Sequence, residues 1–313
     1  MKAFKLIPPI KDYIWGGTKL RDEYGKQSNL ERLAESWELA CHKDGMSIIS
    51  GGEYDGKTLY QYITENPQSL GKNAEKFKNF PILIKLIDAR ENLSVQVHPD
   101  NAYALKNEGE YGKTEMWYII DCEPDSTLIY GFKDKISKED FRKAIENNIL
   151  LDKLNIIPVK KGDVFFIKAG TLHAIGKGIL IAEIQQNSNT TYRVYDYDRK
   201  DIDGNKRELH IDKAIDVADL KPSIIKKRNP DDKLLARCKY FRTYKEDIET
   251  SNRWHQNRNS FTHVLIIDGE GKFLSNYGHI TYNMNFIKGE SIFVPAGVCW
   301  CISGKCSIIY TVI

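Results

Sequence analysis

One spacing occurs twice in this chain and limits what the chain can fold into. Gly162-Asp163-Val164-Phe165-Phe166-Ile167-Lys168-Ala169-Gly170-Thr171-Leu172-His173 and Gly289-Glu290-Ser291-Ile292-Phe293-Val294-Pro295-Ala296-Gly297-Val298-Cys299-Trp300 follow one pattern. Each reads glycine, five residues, Lys or Pro, Ala, Gly, two residues and a bulky ring. A turn, a short strand, a second tight turn and an inward-facing ring produce that spacing, so one β unit is expected to be built twice. The first copy ends on a potential metal ligand and the second on tryptophan. Only the first half is therefore expected to bind metal.

The rest of the chain agrees with a mainly β fold. Seventeen Tyr and twelve Phe, with many Ile and Val, favour strands. Phe80–Ile87 and Met116–Ile120 read as well-buried strands. Apolar residues at three- and four-residue spacing predict helices near 57–65, 101–108 and 138–150. From residue 158 onward short β-rich runs dominate. The polar, Pro-containing stretch Lys221–Asp232 is the best linker candidate. The 313 residues then divide into a larger domain, 1–225, with helical insertions, and an all-β domain, 233–313.

Several classes of function are disfavoured. A net charge of +3 with no dense basic run does not suit nucleic acid. No run approaches the roughly 18 apolar residues of a membrane span, and Met1–Pro9 lacks the apolar core of a signal peptide. Six cysteines, at 41, 122, 238, 299, 301 and 306, form no CxxC pair. They are expected to be reduced thiols in a cytoplasmic protein. Cys299 and Cys301 are expected to share one strand face rather than to bind metal with Cys306.

The candidate metal ligands lie in three strand-like segments. In Leu93-Ser94-Val95-Gln96-Val97-His98-Pro99-Asp100, alternation puts Ser94, Gln96 and His98 on one face and Val95 and Val97 on the other. Such a face suits the wall of a ligand-holding barrel, and it equally suits the outer face of an edge strand. Gly112-Lys113-Thr114-Glu115-Met116 places Lys113 and Glu115 on one face of another strand. A buried strand carrying both charges needs a metal, a substrate or a partner to satisfy them. Gln96, His98, Glu115 and His173 offer two nitrogens, a carboxylate and an amide oxygen. That set suits Zn2+ and leaves Mn2+, Fe2+ or Co2+ open.

The Gly-x5-x-x-Gly-x2-His pattern resembles the second cupin motif, and the Gln96/His98 strand followed by Glu115 resembles the first. Gln96-Val97-His98-Pro99-Asp100, Gly112-Lys113-Thr114-Glu115-Met116 and Tyr192-Arg193-Val194-Tyr195-Asp196 resemble the type I mannose-6-phosphate isomerases in their short bacterial form. The resemblance extends from Trp15-Gly16-Gly17 and Glu35-Ser36-Trp37-Glu38 to Phe293-Val294-Pro295-Ala296-Gly297. It implies two cupin-type jelly-roll barrels with short helical insertions in the N-terminal part. It also implies one zinc ion per chain, held by Gln96, His98, Glu115 and His173.

By the same resemblance Lys113 is the active-site lysine and Arg193 the catalytic arginine. Ser94 and Arg199 meet the substrate phosphate, and Trp15 falls among the substrate-binding positions. Arg199 stands where the family commonly has Lys, a change that a bidentate guanidinium can accommodate. Asn189 stands where the family often has Asp. An amide cannot act as a base, so either that position is not the base or rate and substrate are shifted. The implied activity interconverts mannose 6-phosphate and fructose 6-phosphate, with Lys113 as the expected proton carrier between C1 and C2. The rivals are a metal-dependent cupin oxygenase and a sugar-phosphate-binding cupin without turnover.

Overall fold

The structure, a computed structural model, describes residues 1–200, 204–225, 229 and 231–313. The chain divides into two compact units. Unit one gathers Met1–Lys11, Thr18–Leu86 and Asp231–Ile313, and unit two consists of Asp12–Gly17 and Ile87–Pro230. This partition differs from a contiguous one at the linker, because strands from the two ends of the chain pair with each other in unit one. Part of the linker segment, 226–228 and 230, lies outside the described residues.

Unit one begins with β1 (Phe4–Ile7), β2 (Glu35–Leu39), β3 (Ile48–Ser50) and α1 (Leu59–Glu65). Helix α1 starts where the sequence predicts it, for a local reason. Thr58 accepts from Gln61 N–H while the Gln61 side chain accepts from Thr58 N–H, a reciprocal cap contributing about 1 kcal/mol.

Unit two follows with β4 (Val95–Val97), α2 (Asn101–Asn107), β5 (Glu115–Cys122), β6 (Thr127–Phe132), α3 (Lys138–Glu146) and β7 (Leu154–Pro158). It continues with β8 (Val164–Ile167), β9 (His173–Ile175), β10 (Ile179–Gln186), β11 (Tyr192–Tyr195) and α4 (Ile211–Val217). Helices α1, α2 and α3 occupy the predicted stretches; α4 is an addition that the apolar spacing did not reveal.

In unit two the strands run in the order β7-β6-β9-β4-β11 in one sheet, while β8, β5 and β10 are consecutive in another. Val95 and Val97 are fully buried, in an apolar cluster with Leu172, Tyr192 and Val194. Gln96, between them, is directed the other way and pairs in register with His173 on β9 and Arg193 on β11. The predicted alternation along this strand is what separates the core from the polar face.

The chain returns to unit one with β12 (Leu234–Arg237), β13 (Arg242–Ile248), β14 (Thr262–Tyr277), β15 (Ile280–Ile287), β16 (Ser291–Val294) and β17 (Cys299–Val312). The order is β12-β13-β17-β14-β16-β1-β3, with β15 on β14, and Phe4 pairs with Phe293. Trp300, Phe273, Phe286 and Ile302 fill its core. The protein is mainly β, and its strands run as open jelly-roll-like sheets rather than closed rings. None of the six cysteines forms a disulfide, and Cys299 and Cys301 lie two apart on β17. No helix among the described residues is long and apolar enough to cross a membrane.

Candidate metal centre and active site

Strand β4 ends at Pro99, which has no N–H to continue the ladder. The chain then turns into α2, capped by Asp100, whose side chain accepts from Tyr103 N–H. Gly112 passes so close to this turn that a Cβ would stand 2.3 Å from the carbonyl carbon of Asp100 and 2.5 Å from Asn101 N. Only glycine fits there. The close approach lets Lys113 N–H donate to Pro99 O at 3.0 Å. It thereby fixes the start of β5 against the segment that carries His98.

Three of the four predicted ligands converge closely, and the fourth borders them. His98 Nε2 lies 3.1 Å from His173 Nε2. The Glu115 carboxylate is 3.6 Å from the first ring and 3.3 Å from the second. All three residues are buried to 1% exposure or less. Among the described residues these three form the only group of His, Cys, Asp and Glu side chains with metal-holding geometry. Gln96 places its amide 3.5 Å from His173 Nε2, and rotating that amide by half a turn presents the oxygen instead.

The tautomers make the chemistry of this cluster specific. His98 Nδ1 faces Thr190 O at 2.9 Å, and His173 Nδ1 faces Thr171 O at 2.8 Å. A carbonyl only accepts, so both Nδ1 atoms carry the proton, and a neutral ring in this tautomer turns an Nε2 lone pair toward its neighbour. Burial pushes His173 down to about 4, which keeps the ring neutral at pH 7. Two lone pairs 3.1 Å apart beside a carboxylate repel one another unless a cation lies among them. The donor set thus fits a divalent metal.

Lys113 Nζ borders the cluster, 3.2 Å from Glu115 Oε2 and 3.9 Å from Glu183 Oε1. Glu183 went unnoticed in the sequence. It is 3% exposed on β10, and Trp117 Nε1–H donates to its other oxygen at 3.0 Å. Its signal was a single carboxylate inside the apolar run Ile179-Leu180-Ile181-Ala182-Glu183-Ile184, a placement that demands a partner.

Arg193, opposite Gln96 on β11, donates from Nε to Ser94 Oγ at 3.3 Å and from Nη1 to Glu208 O at 3.0 Å. Burial, followed by the nearby Arg207, lowers its pKa. Arg199 donates to the Asp196 carboxylate and to Asn92 O. Asn189 is placed with its main chain at Glu110, whose carboxylate accepts from Asn189 N–H at 3.3 Å. Trp15 is buried, stacks on Tyr13 at 5.4 Å and accepts from Glu91 N–H through its carbonyl. The stacking packs its ring against Tyr13.

Comparison with known proteins extends this picture. Residues 3–126 match the family described as phosphomannose isomerase type I, catalytic domain, and residues 231–313 match the mannose-6-phosphate isomerase cupin domain. The chain is 40% identical over 303 residues to mannose-6-phosphate isomerase of Streptococcus mutans, covering 95% of this chain and 93% of that one. It is 41% identical over 300 residues to mannose-6-phosphate isomerase ManA of Bacillus subtilis, covering 93% and 92%. The crystal structure of a mannose 6-phosphate isomerase from Bacillus subtilis superposes with a TM-score of 0.88 at 37% identity, over 100% of both chains.

Proposed function

Because the chain belongs to the type I phosphomannose isomerase family, we infer that it interconverts mannose 6-phosphate and fructose 6-phosphate, with Zn2+ as its metal and Gln96, His98, Glu115 and His173 as the ligands. The observation that carries the metal assignment is the pair of imidazole lone pairs facing each other beside a buried carboxylate. Two nitrogens, one carboxylate and one amide oxygen suit zinc. Bound there, zinc supplies Lewis acidity that lowers the cost of developing oxyanion charge on the sugar.

The chain's own residues supply the rest. Lys113 carries the proton between C1 and C2, a step contributing roughly 10²–10⁴ in rate. Its position favours this. With the charge of Glu115 committed to a ligand role, Glu183 is the remaining anionic neighbour of Lys113. Glu183 then holds the Lys113 side chain in place beside the metal ligands. Arg193 orients the sugar and stabilises enediolate charge. Ser94 and Arg199 hold the phosphate, which keeps the reacting carbons beside Lys113. Water is excluded by the burial of Trp117, Glu183 and His173 around this point.

The test is a coupled assay of mannose 6-phosphate conversion after chelation and after metal add-back. Chelated protein is expected to lose activity and to regain most of it with one equivalent of Zn2+. Full activity in metal-free protein would remove the metal from the reaction. Recovery with Fe2+ or Mn2+ but not with Zn2+ would change the ion.

A further inference from the structure

Beyond Ser94 the chain gathers three arginines around one carboxylate. Strand β11 runs into Tyr197 and Asp198, which both adopt left-handed conformations with φ of 56° and 53°. Arg199 N–H closes the turn onto Asp196 O at 3.1 Å. Two successive non-glycine residues at positive φ are strained, and such strain persists only where surrounding contacts enforce it. A bridge between Lys200 and Lys206 brings the chain back, and Arg207 arrives at the same carboxylate. Arg207 grips Asp196 through two atoms, Nε to Oδ2 at 2.7 Å and Nη2 to Oδ1 at 2.6 Å. Arg199 donates to Oδ1 as well.

The charges at this place do not balance. A cavity of about 240 Å³ opens here, lined among others by Tyr195, Asp196, Arg199 and Arg207. Its other acids are already answered: Asp198 by Lys206 at 2.6 Å and Glu146 by Arg142 at 3.9 Å. Glu208, near Arg193, keeps its carboxylate 82% exposed. Asp196, 6% exposed, is thus the one carboxylate set against Arg193, Arg199 and Arg207. Asp196 balances one arginine, so Arg199 and Arg207, which line the recess, leave one positive charge over, and Arg193 beside the recess adds a second. Such a surplus is unfavourable without an anion of matching charge, and a phosphate monoester carries about two negative charges at pH 7. The recess also adjoins the segment that carries Ser94, since Arg199 donates to Asn92 O. Ser94, bound to Arg193, precedes the ligand Gln96 by two residues along a strand, or about 7 Å, comparable with the length of a hexose chain.

We propose that Arg207 is a further cation of the substrate-phosphate subsite, and that Asp196 is the positioning residue that sets Arg199 and Arg207 around one recess. The proposal rests on the isomerase reading of the site and adds to it a residue that recognises phosphate. The grip of Arg207 on Asp196 engages Nε and Nη2, which leaves Nη1 for the ligand.

Steady-state kinetics of Arg207→Ala, Arg207→Lys and Asp196→Asn test it, with inorganic phosphate as the competing probe. For Arg207→Ala, KM for mannose 6-phosphate and the inhibition constant of phosphate are both expected to rise about tenfold to a hundredfold, with a smaller fall in kcat. Arg207→Lys keeps the charge but not the fork, and is expected to recover part of the loss. It also serves if the alanine variant does not fold. Asp196→Asn is expected to raise both constants while metal content stays unchanged. A folded Arg207→Ala protein with wild-type KM and wild-type phosphate inhibition would overturn the proposal, as would a change confined to thermal stability. If the wild-type protein fails to convert mannose 6-phosphate, the isomerase reading falls by itself. Direct titration of phosphate into wild type and Arg207→Ala then still decides: weaker binding to the variant upholds the subsite, and equal binding removes it.

Discussion

At Gly162 and Gly289 the backbone turns through φ of 93° and 89°, and at Gly170 and Gly297 through 88° and 84°. The two copies of the spacing therefore share a local shape, and both deliver an inward ring. In unit two that ring is His173, facing His98 and Glu115. In unit one it is Trp300, stacked between Phe273 at 5.6 Å and His255 at 4.4 Å. Each unit also contains a buried Lys–Glu pair. Glu38 accepts from Ser36 and Ser291 hydroxyls at 2.6 Å each and from Lys26 at 2.8 Å. Glu115 instead meets two imidazoles and Lys113. Surrounded by donors, a carboxylate becomes a structural post. Surrounded by lone pairs, it becomes a ligand. The scaffold permits either outcome, and a few side chains decide between them.

Exchanging the two lysines for methionine challenges this contrast most strongly. Lys113→Met is expected to lower the kcat of the folded protein about 10²–10⁴-fold. Lys26→Met is expected to cost about 3–5 kcal/mol of stability, because Glu38 loses its counter-charge, while the folded fraction keeps its kcat. Near-normal turnover in Lys113→Met would remove that residue from proton transfer.

Trp300→His is the next largest change. Loss of the indole is expected to cost about 2–3 kcal/mol in urea unfolding. Metal analysis should still find one ion per chain, because the ring alone does not supply the co-ligands. Two ions per chain would show that the second copy is a latent site.

The smallest effect concerns acid. Glu246 in unit one is held down to about 2, first by its hydrogen bond with His255. Its folded value lies below its unfolded one, so its contribution is complete above pH 4.5 and disappears as pH falls toward 2. Glu246→Gln should flatten the stability–pH profile across that window, by at most about 2 kcal/mol. Urea midpoints between pH 2 and 6 check this; an unchanged profile would assign the acid sensitivity elsewhere.

Much of the metal centre was legible in the sequence because its signals are local. Val95 and Val97 alternate with Ser94, Gln96 and His98, and the Gly162–His173 spacing marks the turn that aims its last ring. Apolar spacing likewise placed a helix near 57–65, where α1 lies. What stayed hidden depends on pairing across the chain. Glu183 gains meaning only when β10 and β5 set it opposite Trp117. Arg207 is eleven residues from Asp196 and meets it through a turn that no apolar period reveals. The allotment of residues 18–86 to unit one follows from β1 pairing with β16, a register set by tertiary contact.

That pairing of Phe4 with Phe293 bears on how the protein is made. Translation starts at the amino end, so β1 can pair early with β3 but must wait for β16 before its other edge can close. Unit two, in contrast, has all its segments by residue 230. The ribosome thus delivers every proposed ligand of the metal centre before β16, the distant partner of β1, exists, and the order of synthesis favours a nascent chain that assembles its chemistry first and fastens its two ends last.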